Sequence, residues 1–163
     1  MRIGHGFDAH RMVEGRTCVL GGVVIPHGTG PLGHSDADVL AHAVSDALLG
    51  AAALGDLGSR FPDDDVRWKD ADSMHLVAQC VEELDRAGFR IENVDATIVV
   101  QLPRLAPYIT QMRENIARCL KLSLESVSVK AKTSEGMGYT GDGTGIAVYA
   151  VACVSTSLKV ERF

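Results

Sequence analysis

Residues 33–58 read GHSDADVLAHAVSDALLGAAALGDLG, and the order of letters in this stretch decides the fold. Val39, Leu40, Ala43, Val44, Ala47, Leu48 and Ala51 recur at helical spacing, which predicts a helix ending before Gly55. Ser35-Asp36-Ala37-Asp38 ahead of it resembles a capping box, with Ser35 as the cap and Asp38 reaching back. Toward the N-terminus, residues 17–20 and 23–25 flank Gly21-Gly22, a two-glycine hairpin signal. Residues 1–10, MRIGHGFDAH, are too rich in glycine for a helix and predict an irregular strand. Toward the C-terminus, residues 56–72 have no period and read as a loop with an acidic turn around Pro62. A second helix is expected from about Ser73, with Met74, Val77, Val81 and Leu84 on one face and Gly88 as its stop. Residues 90–100 predict a strand, and Pro107 suits the first turn of a third helix striped by Ile109, Met112, Ile116 and Leu120. Val127, Val129, Ala131 and Thr133 alternate with polar residues as on a half-buried strand, and residues 145–154 are apolar enough for a central one. The order is β, hairpin, α, α, β, α, β, β. It predicts an α+β domain over residues 1–157, with a tail at 158–163. Its expected architecture is a mixed four-to-five-stranded sheet with helices on one face, in a ferredoxin-like topology.

Composition narrows the partners. A chain of 163 residues is one domain's worth, and 46% hydrophobic with 23% charged residues is an ordinary globular mix. Sixteen Lys and Arg stand against 21 Asp and Glu, for a net charge of −5 with no basic run, so no nucleic-acid partner is expected. The longest stretch of small and apolar residues, 47–55, is far short of the roughly 20 residues that span a bilayer. No leader pattern opens the chain, so neither membrane nor export is expected. Cys18, Cys80, Cys119 and Cys153 lie far apart without a C-x-x-C pair and read as free thiols in a reducing compartment. The expected location is cytoplasmic, or a plastid stroma if a transit peptide has been removed.

Several constellations can carry chemistry. Asp8 and His10 lie two apart, so on a strand they point to one side and can converge on one ion. His42 sits on the first helix, and Asp46 one turn on can hold its second ring nitrogen. Two imidazoles and a carboxylate with the fourth position open make the catalytic type of zinc set, although D-x-H is common and both histidines can equally be satisfied polar groups. His34-Ser35 precedes the helix, whose N–H groups are a natural anion site, but Asp36 and Asp38 already bring negative charge there. Residues 136–141, GMGYTG, match G-x-G-x-x-G by letter, yet glycines and an apolar strand follow instead of a helix, so a dinucleotide site is rejected. The approach to that loop is more telling. Lys130, Lys132, Thr133, Ser134 and Glu135 can hold phosphate oxygens and Mg²⁺, or be no more than a solvated strand face. Phe61, Pro62, Asp63, Asp64 and Asp65 can bind hydroxyls or a cation, or be a solvated turn.

RIGHGFDAH at 2–10, the stretch at 33–58, FPDDD at 61–65, NVDATIVVQLP at 93–103 and VKAKTSEGMGYTG at 129–141 together closely resemble the 2-C-methyl-D-erythritol 2,4-cyclodiphosphate synthase family. The resemblance implies a homotrimer with active sites between subunits. It implies closure of a small cytidylyl substrate, 4-diphosphocytidyl-2-C-methyl-D-erythritol 2-phosphate, to a cyclic diphosphate with loss of CMP. By the same resemblance, Asp8, His10 and His42 would hold one zinc ion per subunit, and Glu135 a Mg²⁺ or Mn²⁺ bridging the substrate phosphates. His34 and Thr133 would stabilise the transition state. Asp56, Gly58 and Asp63 would grip the sugar and methylerythritol hydroxyls, and Asp8, His10, His34, Ser35, Leu57, Phe61, Pro62, Asp64, Asp65, Thr133, Ser134, Glu135 and Tyr139 would also touch the substrate. Val100, Leu102, Pro103, Arg104, Leu105 and Ala106, with Ala131 and Lys132, would form the cytidine and phosphate pocket. Gly136, Asp142 and Thr144 depart from the family's usual lysine, arginine and glutamate, and Arg104 replaces a usual lysine. A zinc phosphohydrolase and a non-catalytic trimeric sensor are the competing readings.

Overall fold

The computed structural model describes residues 1–62, 64–68 and 70–157, so Asp63, Lys69 and the tail at 158–163 lie outside the described residues. Three long strands carry the fold: β1 (Arg2–Glu14), β5 (Phe89–Val99) and β7 (Gly145–Thr156). Short strands β2 (Cys18–Leu20), β3 (Val23–Ile25) and β4 (Thr29–Pro31) follow β1, and β6 (Val127–Lys132) precedes β7. The helices are α1 (Val39–Ala52), α2 (Leu57–Arg60), α3 (Ser73–Arg86), α4 (Ile109–Leu120) and a single turn, α5 (Gly138–Gly141).

The five-stranded sheet has the order β4-β1-β7-β5-β6, and β2 pairs with β3 as a separate hairpin. Gly21 and Gly22 turn that hairpin with φ of 57° and 68°, the left-handed values a tight two-residue turn requires. β5 and β6 run parallel, joined through α4, and the other pairings are antiparallel. A ferredoxin-like unit runs β-α-β-β-α-β. The long elements here run β-α-α-β-α-β-β, which gives the expected mixed sheet but not that order of elements.

Alternation along the strands separates the two faces. Val148, Ala150, Ala152 and Val154 of β7 are buried against the helices, while Tyr149 and Val151 face outward and stay exposed. Ile3 and Phe7 of β1 are likewise exposed. Gly4 and Gly6 point the other way, into α1. A Cβ on Gly6 would lie 2.0 Å from the Ala43 carbonyl oxygen, and one on Gly4 the same distance from that of Ala47. Glycine on the strand and alanine on the helix therefore let the two backbones touch, which explains the glycine-rich start of the chain.

Because α1 packs against the sheet on one side and α3 on the other, it is apolar nearly all round rather than along one stripe. Its positions that are not fully buried are His42, Asp46 and Gly50, each four residues from the next. They form one open line along the helix. The helix starts later than its letters suggest, with Asp38 and not Ser35 as the cap. Asp38 is fully buried and accepts from the N–H groups of Leu40 at 3.1 Å, Ala41 at 3.0 Å and Gly22 at 2.8 Å. Burial pushes its pKa up, against those backbone bonds. Ser35 Oγ instead accepts from Ala37 N–H within the preceding turn.

Candidate metal centre and the surrounding cleft

Asp8 and His10 leave β1 on the same side, and His42 meets them from the open line of α1. Asp8 Oδ2 lies 3.1 Å from His10 Nε2 and 3.0 Å from His42 Nδ1. One donor atom from each residue falls within 4.8 Å of the others. A tetrahedral zinc ion with bonds of about 2.0–2.1 Å needs donors about 3.3 Å apart, so the spacing fits. The outer contacts fit as well. His10 Nδ1 lies 2.6 Å from the Leu32 carbonyl, which can only accept, so the ring proton sits on Nδ1 and the Nε2 lone pair faces Asp8. A carboxylate and two imidazoles so placed make a donor set that a divalent cation can take.

Asp46 does not hold the second nitrogen of His42. Its Oδ1 accepts from Leu57 N–H at 2.7 Å, tying the start of α2 to α1, while His42 Nε2 lies 2.9 Å from Ser73 Oγ and 3.2 Å from Ser35 Oγ. The i, i+4 spacing puts Asp46 on the right face, but a backbone donor eleven residues further on reaches it first. Nor is the start of α1 an anion site, because the Asp38 carboxylate occupies the N–H groups an anion would use.

The triad opens into a cleft of about 220 Å³ lined also by His34, Ser35, Asp46, Leu57, Gly58, Phe61, Trp68 and Leu76. Trp68 stands edge-on to Phe61, with centroids 4.9 Å apart, and the pair walls one side. Asp56 caps α2 at the rim, accepting Ser59 N–H at 2.7 Å. Pro62 is half-buried and Asp64 exposed, while Asp65 is bound by Arg67 and offers its carbonyl to His34 Nε2 at 3.3 Å. Asp63 lies outside the described residues. Arg16, which spacing did not single out, reaches across from the end of β1. Its guanidinium donates to the carbonyls of Gly33 at 3.2 Å and Ser35 at 3.0 Å, bracing the turn that carries His34. A broader cleft of about 620 Å³ meets the first at His10 and is lined by Tyr139, Thr144 and Met12 among others.

The remaining expected site residues gather elsewhere. Val100 N–H bonds the Lys132 carbonyl at 3.0 Å, which sets residues 100–106 beside Ala131 and Lys132. Val100 and Leu105 are buried, Leu102, Arg104 and Ala106 exposed, and Pro103 half-buried. Lys130 is taken up by Asp95, leaving Lys132 at the open end of β6. Thr133 Oγ1 donates to Glu135 Oε1 at 2.6 Å, and Ser134 Oγ is braced by Thr140 Oγ1 at 2.8 Å. Glu135 holds a left-handed φ of 53°. None of these residues lines the triad's cleft. The register explains why. Ala9 pairs with Ala147, Ala147 with Val99 and Val99 with Lys132, so both groups sit at the same end of the sheet. They are three strand spacings apart, about 14 Å.

Fold and site define an α+β chain with a three-donor cation set at one end of a mixed sheet. Residues 1–155 match the model of the YgbB family, and the chain belongs to that family. It is 58% identical over 154 residues to the 2-C-methyl-D-erythritol 2,4-cyclodiphosphate synthase of Syntrophomonas wolfei, covering 94% of this chain and 98% of that one. Among solved structures it resembles the bifunctional IspDF of Campylobacter jejuni, with a TM-score of 0.92 and 40% identity; the match covers 95% of this chain and 42% of that longer one. A CDP-bound 2C-methyl-D-erythritol-2,4-cyclodiphosphate synthase matches with a TM-score of 0.87 and 33% identity, over 94% of this chain and 100% of the other.

Proposed function

We propose that this chain is a metal-dependent phosphorus–oxygen lyase of the cytoplasm. It converts 4-diphosphocytidyl-2-C-methyl-D-erythritol 2-phosphate to 2-C-methyl-D-erythritol 2,4-cyclodiphosphate and CMP in isoprenoid precursor synthesis. The observation that carries the reading is the convergence of Asp8, His10 and His42 beside a cleft, in a chain 58% identical to a synthase of that name. In the reaction an oxygen of the 2-phosphate forms a bond to the β-phosphorus, and the bond from that phosphorus to the CMP oxygen breaks. The phosphate is already a competent nucleophile, so the protein has to position and neutralise more than to abstract a proton.

Asp8, His10 and His42 would hold zinc, and Glu135 a Mg²⁺ or Mn²⁺ between the phosphates. Cations there supply charge neutralisation and polarised phosphate oxygens to a chain of net charge −5. His34, held toward the cleft by the Asp65 carbonyl, and Thr133 are assigned to oxygens that gain charge as the bond shifts. Asp56, Gly58 and residues 61–65 are assigned to the methylerythritol hydroxyls, with Gly58 and Phe61 lining the cleft and Phe61 as its apolar wall. Residues 100–106, Ala131 and Lys132 take the cytidine and its phosphate. These two groups lie about three strands apart on one chain, and a homotrimer with sites between subunits would bring one copy of each together. Ile3, Phe7, Tyr149 and Val151 give the sheet an exposed apolar face suited to such assembly.

Incubation of the protein with substrate and Mg²⁺, followed by phosphorus NMR, is expected to give the cyclic diphosphate and CMP. Release of free phosphate would establish the hydrolase reading instead, and binding without turnover the sensor. Glu135→Gln is expected to weaken the Mg²⁺ dependence and cut the rate about 100-fold, by the few kcal/mol a charge-stabilising group supplies. Zinc content should stay unchanged. Loss of zinc in that variant would show that the two cation sites had been confused.

A further inference from the structure

Behind His42 lies a chain of polar groups that the reaction scheme leaves unused. His42 Nε2, the ring nitrogen on the side away from Asp8, is 2.9 Å from Ser73 Oγ, and Ser73 Oγ is hydrogen-bonded in turn to Asp36 Oδ1. Asp36 Oδ2 also accepts the Ser73 N–H at 3.2 Å. Ser73, the first residue of α3, is fully buried, and Asp36 stands just ahead of α1. The direction of each bond follows from the groups. A carboxylate can only accept, so the one hydroxyl proton of Ser73 goes to Asp36. Ser73 then has lone pairs alone to offer His42, which must donate from Nε2. That leaves the lone pair on Nδ1, 3.0 Å from Asp8 Oδ2 and on the cation side. Ser35 Oγ lies 3.2 Å from the same nitrogen and 3.3 Å from Ser73 Oγ, a second and weaker acceptor.

We propose that Ser73 and Asp36 are positioning residues that fix the tautomer and orientation of His42 for metal binding, with Asp36 acting through the Ser73 hydroxyl. The proposal rests on reading Asp8, His10 and His42 as a zinc site. It differs from an ordinary outer contact in having a direction. The carboxylate sets the hydroxyl, and the hydroxyl sets the imidazole.

The test is zinc affinity, measured by competition with a chelating dye on folded protein. Ser73→Ala is expected to bind zinc about 10–100-fold more weakly, toward the lower figure because Ser35 remains. Asp36→Asn, which keeps an acceptor oxygen but loses the charge, should show a smaller loss. Added to Ser73→Ala it should cause no further loss, since the group through which it acts is gone. A second measurement needs no variant. In the zinc-loaded wild type, proton–nitrogen NMR should show a slowly exchanging Nε2–H on His42. In Ser73→Ala that signal should exchange fast, while the His10 Nδ1–H on the Leu32 carbonyl keeps its own. Unchanged zinc affinity in Ser73→Ala, an added loss from Asp36→Asn in that background, or a freely exchanging Nε2–H in the wild type would each overturn the relay. Failure of the wild type to bind zinc would overturn the metal reading and the relay with it.

Discussion

His42→Ala is expected to lose zinc and turnover together while the chain remains folded. His42 supplies one of three donors, and its side chain is only 13% exposed, so no other group can slide into its place. Alanine is the best helix former and leaves the buried residues of α1 untouched, so the helix should persist. What disappears is the third arm of the cation site, together with the anchor that Ser73 and Ser35 give it. A cation's share of transition-state stabilisation is several kcal/mol, and each 1.36 kcal/mol is a factor of ten, so a fall of about 10³-fold or more is expected. Elemental analysis, circular dichroism and a product assay on one preparation check the three parts. Full activity in a zinc-free His42→Ala protein would end the zinc assignment.

Gly6→Ala should damage stability and the site together, by one added methyl group. Its Cβ would lie 2.0 Å from the Ala43 carbonyl oxygen and 2.7 Å from the Ala47 nitrogen, both backbone atoms that no rotamer change can move. Relief requires α1 to back away from β1, against the core packed on its other side. Overpacking of this kind costs about 1–3 kcal/mol and occasionally more, and a clash with backbone belongs at the upper end. For a chain of this size that is a fall in Tm of about 6–12 °C. Because α1 carries His42 and β1 carries Asp8 and His10, the same movement should loosen zinc. Gly28→Ala, where a Cβ meets nothing within 4 Å, is the control and should do neither. A Gly6→Ala protein with wild-type Tm and zinc affinity would show that the close approach is not required.

The three candidate ligands could be placed on their elements from the letters, Asp8 and His10 on one side of a strand and His42 on a helix, but spacing alone left them a weak signal and it was the family resemblance that joined them into one set. The helix cap was misplaced by three residues because a distant group decides it. Asp38 is the better cap only once the Gly22 N–H, sixteen residues back, is there to share its carboxylate. Asp46 was misassigned for the same kind of reason, a competing donor at Leu57. β4, at three residues, and α2, at four, are too short to show a period, and the turn of helix in α5 interrupts a stretch read as loop. Ser73, Arg16, Trp68 and Leu76 gave no sign of a place at the site. Ser73 meets His42 across 31 residues of chain, and no pattern of neighbouring letters records such a meeting.

The sheet holds the two halves of the proposed site about three strands apart, and this has a genetic consequence. If the proposed trimer forms, a cell carrying two defective alleles, one altered at His42 and the other at Glu135, would make mixed assemblies in which some interfaces receive a sound half from each. Such alleles are expected to complement one another, though neither supports growth alone. Two alleles damaged in the same half would not, because every interface would then inherit the same fault. Inheritance would report how the site is divided among the subunits.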